Sequence, residues 1–110
     1  MTEMDILRSI RLALSELGYC VFRINSGKVK MADGRWFETG VPRGFSDLFA
    51  VKDGKAYFIE CKTETGKPTA EQLNFIKQMQ TRYGCRAGIA RSVEEALEIV
   101  KGENNGRQKL

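Results

Sequence analysis

Asp53-Gly54 constrains the fold of this chain more than any other pair of residues. It stands between two apolar runs, Leu48-Phe49-Ala50-Val51 and Ala56-Tyr57-Phe58-Ile59. A two-residue type I′ turn needs positive φ at both central positions, and Asp-Gly is one of the few dipeptides that accepts it, so the spacing predicts a β-hairpin. With that pair as the loop, Lys52 faces Lys55, and at the open end Asp47 faces Glu60. Directly opposed side chains have Cβ atoms roughly 4.5–5.5 Å apart, and like charges placed so are destabilising. Both strands are apolar on both faces, which predicts central, buried strands. Two facing carboxylates at the end of a buried hairpin must share a proton or share a cation. Lys62 lies two residues beyond Glu60 and projects from the same face. Two acids and a lysine on one patch are the parts of a divalent-metal hydrolytic site. On register alone they equally suit a surface salt-bridge cluster at a frayed hairpin end, since a one-residue slip would separate them.

Composition narrows the chemistry. The 110 residues are enough for one core but not two. There is no histidine, which removes Ser–His and Cys–His nucleophiles and His-ligated zinc. The three cysteines, Cys20, Cys61 and Cys85, are far apart and odd in number, and each lies in an apolar run. They are expected to behave as small hydrophobes in a reducing, cytoplasmic compartment rather than as a disulfide framework. Neither a signal peptide nor a membrane span is expected. The net charge of +4 is compatible with nucleic acid, and residues 20–46 carry Arg23, Lys28, Lys30, Arg35 and Arg43 against only Asp33 and Glu38.

Along the chain, Ile6, Ile10, Ala13, Leu14 and Leu17 follow the helical period over 3–17, with Thr2 as N-cap and Gly18 past the end. Glu3 lies on the apolar stripe, either to complement the helix dipole or as a third acid aimed at Asp47 and Glu60. Residues 19–24 read as a strand ended by Asn25-Ser26-Gly27. Residues 28–38 read as a smaller hairpin that turns at Ala32-Asp33-Gly34. Its lysines and arginine interleave with Met31, Trp36 and Phe37, which suits either a flap that touches phosphates and bases or an edge hairpin whose lysines block aggregation. The glycines of Gly40-Val41-Pro42-Arg43-Gly44 allow close backbone approach to a ligand, and Arg43 could meet a phosphate. Thr69-Ala70-Glu71-Gln72 is a capping box opening a helix whose buried face is Leu73, Ile76, Met79 and Tyr83, with Gly84 at its end. Residues 85–90 are a short strand. Ser92-Val93-Glu94-Glu95 is a second capping box, opening a helix to about Lys101 with Val93, Leu97 and Val100 as its apolar positions. The domain is expected over 1–101, and 102–110 as a disordered polar tail. The order of elements predicts an α/β sandwich around a mixed sheet, with the last strand parallel to the Glu60 strand.

An acid in the first helix (Glu3), an Asp at a strand start (Asp47), Glu60-x-Lys62 on the next strand and a glutamine in the following helix (Gln72) resemble the PD-(D/E)xK nuclease superfamily. Within it, the chain looks like a stand-alone VRR-NUC domain of the kind common in phages and prophages. The segments that carry the likeness are 22–27, 44–48, 59–62, 68–72 and 90–94. Ser46 stands where many relatives have a proline that is not a ligand. The resemblance implies a restriction-endonuclease-like fold and divalent-metal hydrolysis of phosphodiester bonds in DNA. It implies that Asp47, Glu60 and the Cys61 carbonyl hold Mg²⁺ or Mn²⁺, with Glu3 a further candidate, and that Lys62 and Gln72 join them in the catalytic site. Arg23, Asn25, Lys28, Lys30, Arg35 and Arg43 are the expected DNA contacts. Small stand-alone members resemble Holliday-junction resolvases and tend to be homodimers, which points to branched or duplex DNA as partner. A flap or nicking nuclease, or a non-catalytic DNA-binding or assembly protein on the same fold, are the alternatives.

Overall fold

The computed structural model describes residues 1–102. Of the polar tail expected over 102–110, Gly102 instead caps the last helix with φ 72°, and the remainder lies outside the described residues.

The hairpin forms in the expected register. Strands β4 (Leu48–Lys52) and β5 (Lys55–Cys61) pair antiparallel, with Lys52 opposite Lys55 and Leu48 opposite Ile59. Asp53 and Gly54 adopt φ of 52° and 76°, as a primed turn requires. Strand β1 (Cys20–Arg23) adds antiparallel to β4, and β6 (Arg86–Ala90) adds parallel to β5, giving the order β1-β4-β5-β6. The hairpin therefore occupies the middle of a mixed sheet.

Both sheet faces are covered, because the apolar residues of β4 and β5 alternate between two cores. Leu48, Ala50, Tyr57, Ile59 and Cys61 pack against helices α1 (Glu3–Glu16) and α3 (Val93–Lys101). Phe49 and Phe58 pack on the other face with Phe45 and with Leu73, Phe75 and Ile76 of α2 (Ala70–Thr81). The Phe45 and Phe75 rings lie 4.5 Å apart, inside the range where aromatic pairs attract. Ile10, Leu14, Ile59 and Ile76 are wholly buried, each contributing about 1.5–3 kcal/mol by removal from water.

Local capping explains where the helices start. Thr2 and Asp5 form a reciprocal capping box on α1, and Thr69 and Gln72 form one on α2. The box expected on α3 is only half formed. Ser92 accepts from the Glu95 N–H, but the Glu95 carboxylate turns to the Arg91 N–H at 2.7 Å. Two further expectations need correcting. Helix α2 stops at Thr81, so Tyr83 leaves the helical period and stands 61% exposed instead of joining the buried face. Cys20, expected in an apolar setting, is exposed on β1, while all three cysteines are free thiols as expected.

The glycine loop before Asp47 also has a packing role. Gly44 takes φ +95°, and a Cβ there would meet the Glu71 carbonyl oxygen at 2.7 Å. The close approach is to the first turn of α2. Gly44→Ala combines left-handed strain with a clash against helix backbone, and we expect it to cost about 3 kcal/mol. A urea midpoint lowered at unchanged slope would show this, and an unchanged midpoint would contradict it.

Candidate active site

The acids meet because β5 runs two residues past Ile59, the partner of the first β4 residue, Leu48. Asp47 directly precedes β4, and its backbone carbonyl accepts from the Ile24 N–H at 2.8 Å, which extends the β1–β4 ladder. Its side chain then turns to β5, where Oδ2 accepts from the Cys61 N–H at 2.9 Å. The carboxylate thus stands in for the strand carbonyl that would have satisfied this amide. Glu60 is 2% exposed, and its carboxyl lies against that of Asp47. Burial pushes the Glu60 pKa up to about 9, aided by a shared hydrogen bond with Asp47 and by its negative charge; Lys62 opposes the rise and Glu3 adds to it. Burial and the same three acids also push the Cys61 thiol up, while Arg23 opposes this, which excludes Cys61 as a thiolate nucleophile.

Lys62 follows β5, its N–H donating to the Ala90 carbonyl at 3.1 Å. Its ammonium is 3.9 Å from Glu60 and 3.8 Å from Glu3, with only 12% of the side chain exposed. Of the readings open for Glu3, the structure therefore brings its half-exposed carboxylate from the start of α1 to Lys62. Gln72 is engaged in capping, its Oε1 accepting from the Thr69 N–H at 2.9 Å. Arg23, Asn25, Lys28, Lys30, Arg35 and Arg43 are all exposed. Among them Arg35 already binds Asp33 at 2.7 Å.

The donor set suits a hard divalent cation. Ionised, Glu3, Asp47 and Glu60 against Lys62 leave two negative charges, and a carboxyl held neutral by burial and then by its neighbour Asp47 is where a cation can replace a proton. Among the described residues no group of three or more His, Cys, Asp or Glu side chains is placed to hold an ion. Carboxylate oxygens are hard donors, and one or two of them can hold a small divalent cation whose shell water and phosphate oxygens complete. The Cys61 carbonyl lies on the same strand end.

One contributor escaped the sequence reading. The Arg91 guanidinium donates to the carbonyls of Thr63 and Gly66, each at 2.6 Å, and so pins the loop that follows Lys62. An arginine between an apolar strand and a helix N-cap was visible, but partners more than twenty residues upstream were not. Ser46, beside Asp47, is wholly buried, and its hydroxyl has no partner among the described residues.

No family model matches the sequence, and no curated protein does. The chain is similar to a solved structure described as "VRR_NUC domain", with a TM-score of 0.64 over 92% of this chain and 97% of that one, at 20% identity. The protein thus has the fold of a VRR_NUC domain, a mixed sheet flanked by helices, as the spaced segments of the sequence led us to expect.

Proposed function

We propose that this protein is a divalent-metal-dependent DNA endonuclease that hydrolyses phosphodiester bonds in branched DNA, in the manner of a Holliday-junction resolvase. The observation that carries the reading is the buried Glu60 carboxyl against Asp47, with Lys62 at 3.9 Å. A protein that needed this corner only for stability would be better served by apolar side chains, since burying and crowding carboxylates is costly. The VRR_NUC fold supports a nuclease-type domain.

Asp47 and Glu60 offer carboxylate oxygens, and the Cys61 carbonyl a third, to one Mg²⁺ or Mn²⁺. When bound, the cation supplies Lewis-acid stabilisation of charge on the phosphate and a more acidic water. Lys62 holds a positive charge at the same edge and steadies the charge that develops on the phosphate oxygens. Glu3 holds the Lys62 ammonium in place from α1. Gln72 fixes the start of α2, whose Glu71 carbonyl lies against the Gly44 loop that leads to Asp47. Arg23, Asn25 and Arg43 flank the strand ends and hold the DNA backbone, with affinity that falls steeply in salt. Two cuts on a symmetric junction call for two copies of the chain. Among the described residues no helix is long and apolar enough to cross a membrane.

The test is a panel of end-labelled junction, flap, duplex and single-stranded DNA incubated with the purified chain and Mn²⁺. Junction cleavage that stops in EDTA and returns with Mg²⁺ or Mn²⁺ is the expected result. Cleavage that survives EDTA, or none on any substrate, would remove the reading. Preference for flaps or single nicks would keep the chemistry and change the substrate.

A further inference from the structure

Strands β2 (Lys28–Lys30) and β3 (Trp36–Glu38) form a separate two-stranded ribbon, with Lys30 opposite Trp36, Val29 opposite Phe37 and Lys28 opposite Glu38. Every residue of both strands is exposed, Trp36 at 64% and Phe37 at 55%. A bare hairpin with large apolar side chains in water is marginal by itself. Here its two arms are tied to each other at the base. The Gly27 N–H donates to the Val41 carbonyl at 2.7 Å, and the Thr39 N–H and hydroxyl both donate to the Gly27 carbonyl, at 3.0 and 2.9 Å. The two arms of the ribbon are therefore pinned to each other where it leaves the sheet.

Its root matters. The chain leaves the sheet at Ile24, whose N–H is bonded to the Asp47 carbonyl, and it re-enters the sheet through Asp47 itself. The ribbon thus grows from the strand end that carries the acid pair. The six residue steps from Ile24 to Lys30 span at most about 22 Å, and with one inter-strand spacing of about 5 Å at each end Trp36 is within about ten nucleotide steps of the acids along a strand.

We propose that the Trp36 face of this ribbon binds an unstacked base of the DNA, making nucleotides unpaired or splayed near the branch the feature that this enzyme selects. The proposal rests on the nuclease reading only for where the cut falls. On this face the Lys30 ammonium lies 6.0 Å from the Trp36 ring centre, while Lys28 stands opposite Glu38, so the cation beside the ring is Lys30. That pairing of ring and positive charge complements a base with its phosphate, and ring stacking is sequence-tolerant because every base has a π-face. Arg35 contributes little to the phosphate contact because Asp33 already holds it. The ring, rather than bulk charge, therefore carries the selectivity: a fully stacked duplex offers phosphates but no free base face.

Trp36 is the single tryptophan of the chain, so its emission reports on this ribbon alone. The full chain is titrated in EDTA with a short oligothymidylate and with a blunt duplex of equal phosphate number. Quenching by the oligothymidylate at concentrations where the duplex has no effect is the expected result. By anisotropy of a labelled oligothymidylate, Trp36→Leu should weaken binding about tenfold, and Trp36→Phe, which keeps a ring, should restore most of it. Equal quenching by both DNAs would overturn base stacking in favour of simple phosphate contact. No quenching by either would leave the lysines as guards of an exposed edge and overturn the proposal. Emission that shifts with protein concentration alone would also overturn it, by placing a second copy of the chain on this face. Because no metal is present, these outcomes are independent of whether the acid pair cuts. Loss of cleavage on the whole substrate panel with quenching intact would sink the nuclease reading and leave the ribbon's role standing.

Discussion

Glu60→Gln is expected to abolish cleavage, by about 10³-fold or more, while making the metal-free protein more stable at alkaline pH. The two effects share one cause. In the folded protein Glu60 holds its proton up to about pH 9, whereas unfolded it releases it near 4.5. Between those values the native state binds more protons than the unfolded one, so stability falls as pH rises. The contribution is fully present below about pH 4.5 and is lost by about pH 9. Glutamine fills the same volume and has no proton to lose, so the variant should show little of this slope. In EDTA at pH 8, a gain of ~1 kcal/mol corresponds to a melting temperature raised by about 4–8 °C. A variant that loses both activity and stability would mean that Glu60 is a structural carboxylate. A variant that keeps activity would mean that it is not a ligand.

Lys62→Ala should lower the rate of cleavage by about 10²–10³-fold, the usual cost of removing one preorganised charge from a phosphoryl or acyl transition state. Metal binding should survive, because the ligand oxygens belong to Asp47, Glu60 and the Cys61 carbonyl. Lys62→Arg should recover only part of the rate: its planar fork cannot reproduce a point charge held between Glu3 and Glu60. Metal binding read alongside single-turnover cleavage separates the two roles. Loss of metal binding in Lys62→Ala would mean that the lysine builds the site rather than acting on the phosphate.

The hairpin was legible because its turn chemistry is nearly unique. Asp53-Gly54 admits one short loop, the loop sets the register, and the register alone brings Asp47 to Glu60. The capping boxes at Thr69 and, in half, at Ser92 were legible for a similar reason: their hydrogen bonds are local. What could not be read depended on contacts distant in the chain. Arg91 reaches back to Thr63 and Gly66, and nothing near it in sequence marks those partners. Gly44 signalled close approach, but only packing shows that the neighbour is the Glu71 carbonyl. Tyr83 fitted the apolar period of α2, yet the helix closes at Thr81 and leaves the ring outside. The position of Glu3 needed the fold as well, since the start of α1 meets Lys62 only once α1 has packed across the sheet.

The account stands on one exchange: a divalent cation replaces the proton that Glu60 and Asp47 share. Calorimetric titration of the full chain with Mn²⁺, repeated near pH 7.5 in buffers of different ionisation heat, measures ion and proton together. We predict one Mn²⁺ per chain with release of about one proton, and little binding in Glu60→Gln. No binding, or binding without proton release that Glu60→Gln leaves unchanged, would contradict it.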